Sequence, residues 1–178
     1  MKIFSALFVA FLIAIACAAR GPVVVAQAPE PTPAGNLAQI MKSIPYPNSN
    51  VIFDTQDWDP ATNEAGEFAM TAGPRRGYDG AYGGWEAVEN SALAIAEFTN
   101  VLMLPGRECS NGQPAPVDAA DWPGFVQDLR VAALATYEAA QTRGADEMLG
   151  AADALVTACG NCHDQYRDVG GPANRCMQ

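Results

Sequence analysis

The chain has 178 residues, a length that suits one domain, and its formal net charge is −10 at neutral pH. A surface this acidic is repelled by phosphate backbones, which excludes nucleic acid as the expected partner. It is compatible with a basic protein partner, because opposite charges steer association.

Residues 1–26 are predicted to be a signal peptide. Lys2 supplies the positive start, residues 3–16 are almost all apolar, and small residues follow. The apolar run is shorter than the roughly 20 residues that span a membrane, so cleavage and export to the periplasm are expected. The sequence leaves the cleavage position open, with cuts after residue 26 or 28 both allowed. A further alternative makes Cys17 the lipidated N-terminus of a lipoprotein.

Residues 27–35 are rich in Ala and Pro and are predicted to be a flexible lead-in to a single domain at residues 36–178. Apolar residues at helical spacing after Asn36, the expected N-cap, predict a first helix. Because Pro45 and Pro47 interrupt that spacing, the helix is expected in two pieces.

The second piece is expected to continue to Trp58. Residues 59–84 are rich in Gly, Pro and charged residues and predict a long loop, with residues 65–70 as the one place for a helical turn. No segment shows sustained alternation of period two, the pattern of a half-buried strand. Paired glycines at 83 and 84 allow a close backbone approach just before the next helix.

Two further helices follow. One is predicted over residues 85–104, with Pro105 as its stop. The next has Asp121 as its expected N-cap, Pro123 in its first turn and an end near Thr142.

The last helix is predicted to open at residue 145 or 146 and to end before residues 170–172, which read Gly-Gly-Pro. Its inward face is expected to hold Met148, Ala152, Leu155 or Val156, Cys159, Cys162, His163 and Tyr166. Four helices with short connections predict an all-α fold, an antiparallel four-helix bundle.

Residues 159–163 read Cys-Gly-Asn-Cys-His, the pattern of covalent haem c attachment. Cys159 and Cys162 would bind the two vinyl groups of one porphyrin, and His163 would then be an axial ligand of the iron. A structural zinc site needs four ligands, and a thioredoxin-type dithiol is expected beside a βαβ pattern, neither of which the sequence offers. A thiol switch in an exported helical domain without haem stays as the alternative from another class.

Three of the five cysteines lie outside this motif. With Cys159 and Cys162 assigned to haem and Cys17 to the leader, Cys109 and Cys176 are left over. In an oxidising compartment two such thiols favour a disulfide, although two separate thiols are the alternative.

The run from Cys159 through His163 to Tyr166 and Arg167 resembles the haem motif of class II c-type cytochromes, the cytochrome c prime family. In that family the motif closes the last helix of a four-helix bundle. The resemblance is specific over about residues 145–167 and architectural from residue 36 onward. It implies one haem c, and it places Tyr166 and Arg167 beside the proximal histidine.

The resemblance also implies one of two functional modes, electron transfer or gas binding. The residue that faces the iron from the first helix decides between them. Met41 matches this distal position and would be the sixth ligand of a low-spin electron carrier, whereas its alternative use is core filling. Poorer candidates for this ligand are the other methionines, Met70, Met103 and Met148. A five-coordinate cytochrome that binds NO or CO is the alternative function.

The expected function is therefore an exported electron carrier with no catalytic residues, that is, not an enzyme. Its expected partner is a redox protein with a basic docking surface. Family members often dimerise through their first two helices, which leaves a homodimer open.

Overall fold

The computed structural model of the protein describes residues 30–62, 64–65 and 83–168 together with Cys176. This part is mainly α-helical, as predicted, and Pro31–Gln178 forms one compact unit. Its helices are α1 (Leu37–Ser43), α2 (Pro45–Phe53), α3 (Gly84–Leu102), α4 (Trp122–Thr142) and α5 (Ala145–Tyr166). None of the helices in this described part is long and apolar enough to cross a membrane. The predicted signal peptide and the stop signal at 170–172 lie outside the described residues.

The first helix is in two pieces, as predicted, but the prolines act differently from the prediction. Asn36 and Gln39 cap α1 reciprocally, each side chain accepting the other's backbone N–H at 2.9 Å. The break falls at Ile44, and Pro45 and Pro47 lie in the first turn of α2. Amides of a first turn have no partner inside the helix, so prolines open α2 there instead of interrupting it.

The expectation that α2 continues to Trp58 is wrong. After a 3-10 turn at Asp54–Gln56, Trp58–Asp59 pairs antiparallel with Glu64–Ala65. Strands of two residues are too short to show alternation in the sequence. Of the suggested helical turn, residue 65 is in this hairpin, and residues 66–70 lie outside the described part.

The glycine before α3 fits against this hairpin. Gly84 has φ +58°, and a Cβ at this position would lie 2.8 Å from the carbonyl oxygen of Pro60. At this position only glycine avoids both the backbone strain and the overlap with the hairpin backbone.

The long helices α3 and α4 run antiparallel. At one end, the Trp122 indole N–H that opens α4 donates to the carbonyl of Leu102, the last residue of α3, at 3.3 Å. At the other end, Arg143 pairs with Glu89 at 3.0 Å, and its guanidinium lies 5.8 Å from the centre of the Trp85 ring.

Helices α4 and α5 are joined by Arg143 and Gly144 alone, and they pack against each other. The Thr136 hydroxyl of α4 lies 3.4 Å from the carbonyl oxygen of Ala151 in α5. The largest fully buried side chains of the core are Trp122, Phe98, Ile52, Ile95, Met148, Leu155 and Val88. Of the inward face predicted for α5, the residues that are buried are Met148, Ala152, Leu155 and Tyr166, and those that are half-buried are Cys159, Cys162 and His163. Val156 is exposed.

The connection between α3 and α4 holds the start of α1. The buried guanidinium of Arg107 donates from Nη1 to the carbonyl of Gly35 at 2.6 Å and from Nη2 to that of Val101 at 3.4 Å. The Leu37 amide donates to the carbonyl of Glu108 at 2.7 Å. The first helix therefore begins at the end of the molecule where α3 ends.

The same connection is bound covalently to the C-terminal segment. Cys109 and Cys176 form a disulfide with their Cα atoms 6.4 Å apart, which confirms the pairing of the two leftover cysteines. The Cys176 amide also donates to the carbonyl of Tyr166 at 2.8 Å, so the bridge lies beside the end of α5.

Replacing both Cys109 and Cys176 by serine is expected to lower the free energy of unfolding by about 2–4 kcal/mol, because the bridge closes a long loop in the unfolded chain. Guanidinium denaturation of the wild type and the variant measures the change. Ser110→Ala, an exposed change in the same loop, is the control. An unchanged unfolding midpoint would contradict a stabilising role for the bridge.

Candidate haem-attachment site

The last two turns of α5 carry the predicted attachment residues. Cys159, Cys162 and His163 are all half-buried and all helical, at spacings that bring them to one face. The negative charges of Asp146 and Glu147, in the first turn of α5, stabilise the N-terminus of this helix. Neither Cys159 nor Cys162 is in a disulfide, so both thiols are free to react.

Both thiols are protonated at neutral pH. Burial raises the pKa of Cys162, the charges of Cys159 and Asp121 act in the same direction, and together they bring it to about 11. Burial also raises the pKa of Cys159, while the nearby positive charge of Arg167 opposes that rise.

The imidazole of His163 is in the form that binds a metal. Burial lowers its pKa and the positive charge of Arg167 lowers it further, against weaker opposing effects of Asp168 and Asp164. The neutral ring has a free nitrogen lone pair at neutral pH. Within the described part of the chain, no side-chain hydrogen bond to His163 competes for that nitrogen.

Tyr166 and Arg167, the other two predicted site residues, take different positions. Tyr166 is only 4% exposed, and its ring packs edge-on against Trp122 and Phe125 with centroids 5.1 and 6.0 Å away. Arg167 follows the helix on the surface, where its Nε and Nη2 each lie 2.7 Å from the carboxylate of Asp168. This exposed pair contributes little to stability.

Asp121 stands at the N-cap position of α4, as predicted, but its side chain does not cap the helix. Its carboxylate instead accepts the hydroxyl of Tyr166, a residue 45 positions away. Nothing in the local sequence indicates this contact, because it depends on α5 ending beside the start of α4.

Met41, the predicted sixth ligand, is half-buried on α1. No residue of this helix is fully buried, although its apolar side chains, Leu37, Ile40, Met41 and Ile44, all pack against the core. Of the other methionines, Met103 is 39% exposed, Met148 is 2% exposed in the core, and Met70 lies outside the described residues. Ligation of iron by Met41 stays a prediction.

These residues fit a flat apolar group. The apolar face of α1 and the thiol-bearing face of α5 both remain half covered, whereas Val88, Ile95 and Leu155 in the middle of the core are fully buried. Two free thiols and a neutral imidazole form the donor set that a haem c requires.

Within residues 30–62, 64–65, 83–168 and 176, no three or more His, Cys, Asp or Glu side chains are grouped so that they could hold a bare metal ion. Comparison of the chain with protein-family models, with curated proteins and with solved structures finds no match.

The raised thiol pKa predicts a pH dependence of the haem-free chain. Well below pH 9.0 the Cys162 thiol holds its proton in both the folded and the unfolded state. The free energy of unfolding is therefore not lowered by the raised pKa in that range. As the pH rises from 9.0 towards about 11, the unfolded state loses the proton first and the free energy of unfolding falls. Denaturation at several pH values should show a shallower fall in Cys162→Ser. Identical slopes would contradict the shift.

Proposed function

We propose that this protein is an exported c-type cytochrome similar to class II, which carries single electrons with one haem c. The observation that supports the proposal most directly is the set at the end of α5, where Cys159 and Cys162 are free thiols and His163 is neutral. All three are half-buried on one helix face, as a covalently attached ring would require.

A four-helix bundle is the architecture that we propose for this chain. Helices α1 and α2 would act together as the first, broken helix, followed by α3, α4 and α5. Three packed pairs support it: α2 with α3, α3 with α4, and α4 with α5. Contacts of α2 and of the 3-10 turn with α5 would close the bundle.

The placement of Met41 along the bundle supports its role as sixth ligand. The start of α1 is bonded to Glu108, and the end of α5 is linked through Cys176 to the adjoining Cys109. From these two neighbouring starting points, Met41 lies about 6 Å along α1 and His163 about 4.5 Å back along α5. Met148 lies about 27 Å from the end of α5 and cannot take this role.

In this proposal the chain's residues hold and shield the group. Cys159 and Cys162 would fix the ring through thioether bonds, and His163 and Met41 would ligate the iron. The haem supplies one-electron exchange between ferric and ferrous iron. The half-covered apolar side chains of α1 would exclude water from it, and no residue is assigned a bond-making role on a substrate.

The partner that we propose is a basic redox protein. Removal of Lys2 and Arg20 with the predicted leader would change the net charge from −10 to −12. A strongly acidic carrier is steered towards a basic docking surface at low ionic strength. Export to the periplasm is part of the proposal, either as a free protein or anchored through Cys17.

Intact mass and optical spectra of the full-length protein, produced with a haem-maturation system, test the proposal. We expect one haem covalently bound per chain and reversible reduction by dithionite. A purified chain of unmodified mass, with Cys159 and Cys162 available to alkylation, would overturn it in favour of the thiol-switch alternative.

A further inference from the structure

The last turn of α5 is fastened to the first turn of α4 by one side chain. The Tyr166 ring is buried between Trp122 and Phe125, and its hydroxyl donates to the carboxylate of Asp121. A hydrogen bond to a charged acceptor is stronger than one between neutral groups. The position and rotation of this helix end therefore depend on the contact.

The same turn carries two of the attachment residues. Tyr166 follows His163 by three positions and Cys162 by four, the spacings at which side chains on a helix are neighbours. A shift of Tyr166 out of its aromatic contacts would therefore move the thiol and the imidazole with it.

Asp121 also brings a negative charge to this place. Its carboxylate accepts the hydroxyl of Tyr166, which lies on the same helical turn as Cys162 and His163. The charge is therefore held beside the end of α5 that carries the attachment residues.

We infer that Asp121 is a positioning residue of the haem centre, an inference that rests on the proposed function. Through the Tyr166 hydroxyl it holds the turn that bears Cys162 and His163, and its charge lowers the reduction potential of the iron. One electron taken up by ferric iron removes one unit of positive charge from the centre. A fixed carboxylate nearby therefore favours the ferric state.

The test of the charge is a redox titration of the full-length holoprotein and its Asp121→Asn variant, with dithionite as reductant and ferricyanide as oxidant. Asparagine keeps an acceptor for the Tyr166 hydroxyl and removes only the charge. At a fixed ambient potential the ratio of ferrous to ferric protein should rise about three- to tenfold, tenfold being about 59 mV for one electron.

The matched control is Asp128→Asn. Asp128 is exposed on α4, seven positions beyond Asp121 and so about 10 Å further along the same helix. Because solvent and salt screen a charge at that distance, the ratio should change less than about twofold.

The test of the positioning is a double-mutant cycle with Asp121→Ala and Tyr166→Phe in the holoprotein. Each single variant should lower the folding equilibrium constant about tenfold, and the double variant should be little worse than either. Fully additive effects, or equal shifts of the potential in Asp121→Asn and Asp128→Asn, would overturn the inference and leave the proposed function standing. A wild-type chain without covalent haem would overturn the proposed function itself, and with it the effect on potential.

Discussion

A chain with both Cys159 and Cys162 replaced by alanine is expected to leave haem maturation without covalent haem. Both thioether bonds would be lost, and the axial ligands alone would have to hold the group. Intact mass under denaturing conditions measures the result, since non-covalent haem dissociates there and covalent haem does not. We expect the haem retained per chain to fall by about tenfold or more.

Single substitutions and a second cysteine pair make this result specific. Cys159→Ala and Cys162→Ala should each leave one thioether, so denatured single variants should retain part of the haem. The variant with Cys109→Ser and Cys176→Ser removes two cysteines that are joined to each other, and it should retain haem as the wild type does. Haem retained by the Cys159/Cys162 double variant, or lost equally from the Cys109/Cys176 variant, would contradict the assignment of the motif.

Local sequence was sufficient for the features that depend on neighbours along the chain. Helix α3 and the start of α4 at Trp122, with Pro123 in its first turn, follow from helical periodicity and from where proline is tolerated. The disulfide followed from counting, because the assignment of Cys159 and Cys162 left only Cys109 and Cys176 in an oxidising compartment.

Features that depend on contacts across the fold could not be predicted in this way. Asp121 has the residue type and the position of an N-cap, yet its carboxylate accepts the Tyr166 hydroxyl. A local rule treats the backbone N–H groups of the first helical turn as the only donors within reach of the N-cap side chain. Only the antiparallel packing of α4 and α5 introduces a competing donor from 45 positions away.

The prolines of α2 show a second feature that the local sequence does not decide. Pro45 and Pro47 were predicted to break one helix, and the position of the break at Ile44 decides whether they end a helix or begin one. The Ile44 amide still donates to the carbonyl of Ile40, at 3.1 Å, so α1 is complete before the first proline. The prolines then occupy positions whose amides need no partner in the helix.

Met41→Leu is expected to change the spin state of the iron. If Met41 supplies the sixth ligand, leucine keeps the apolar volume beside α1 and removes the sulfur that closes the sixth position. The ferric wild type should be low-spin with the weak methionine-to-iron charge-transfer band, and the variant should be high-spin without it. Because a thioether ligand raises the potential of a haem iron, the variant should also reduce less readily, by more than about 59 mV or tenfold in the ratio of the two states.

Met103→Leu is the control for this substitution. Met103 adjoins the end of α3, at the same end of the molecule as the motif, but 39% of it is exposed. Its replacement should leave both the spin state and the potential unchanged. An equal effect of both substitutions would indicate a general loosening of the fold rather than loss of a ligand.

The response to CO then separates the two functions that the sequence left open. With Met41 bound to the iron, the ferrous wild type should bind CO slowly or not at all, while ferrous Met41→Leu should bind it readily. The half-covered apolar face of α1 would then act as the wall of a closed electron-transfer site. If the wild type is high-spin and both proteins bind CO equally, Met41 is a packing residue of that wall. Gas binding at the open sixth position would then be the better account of the same motif, because His163 alone would ligate the iron.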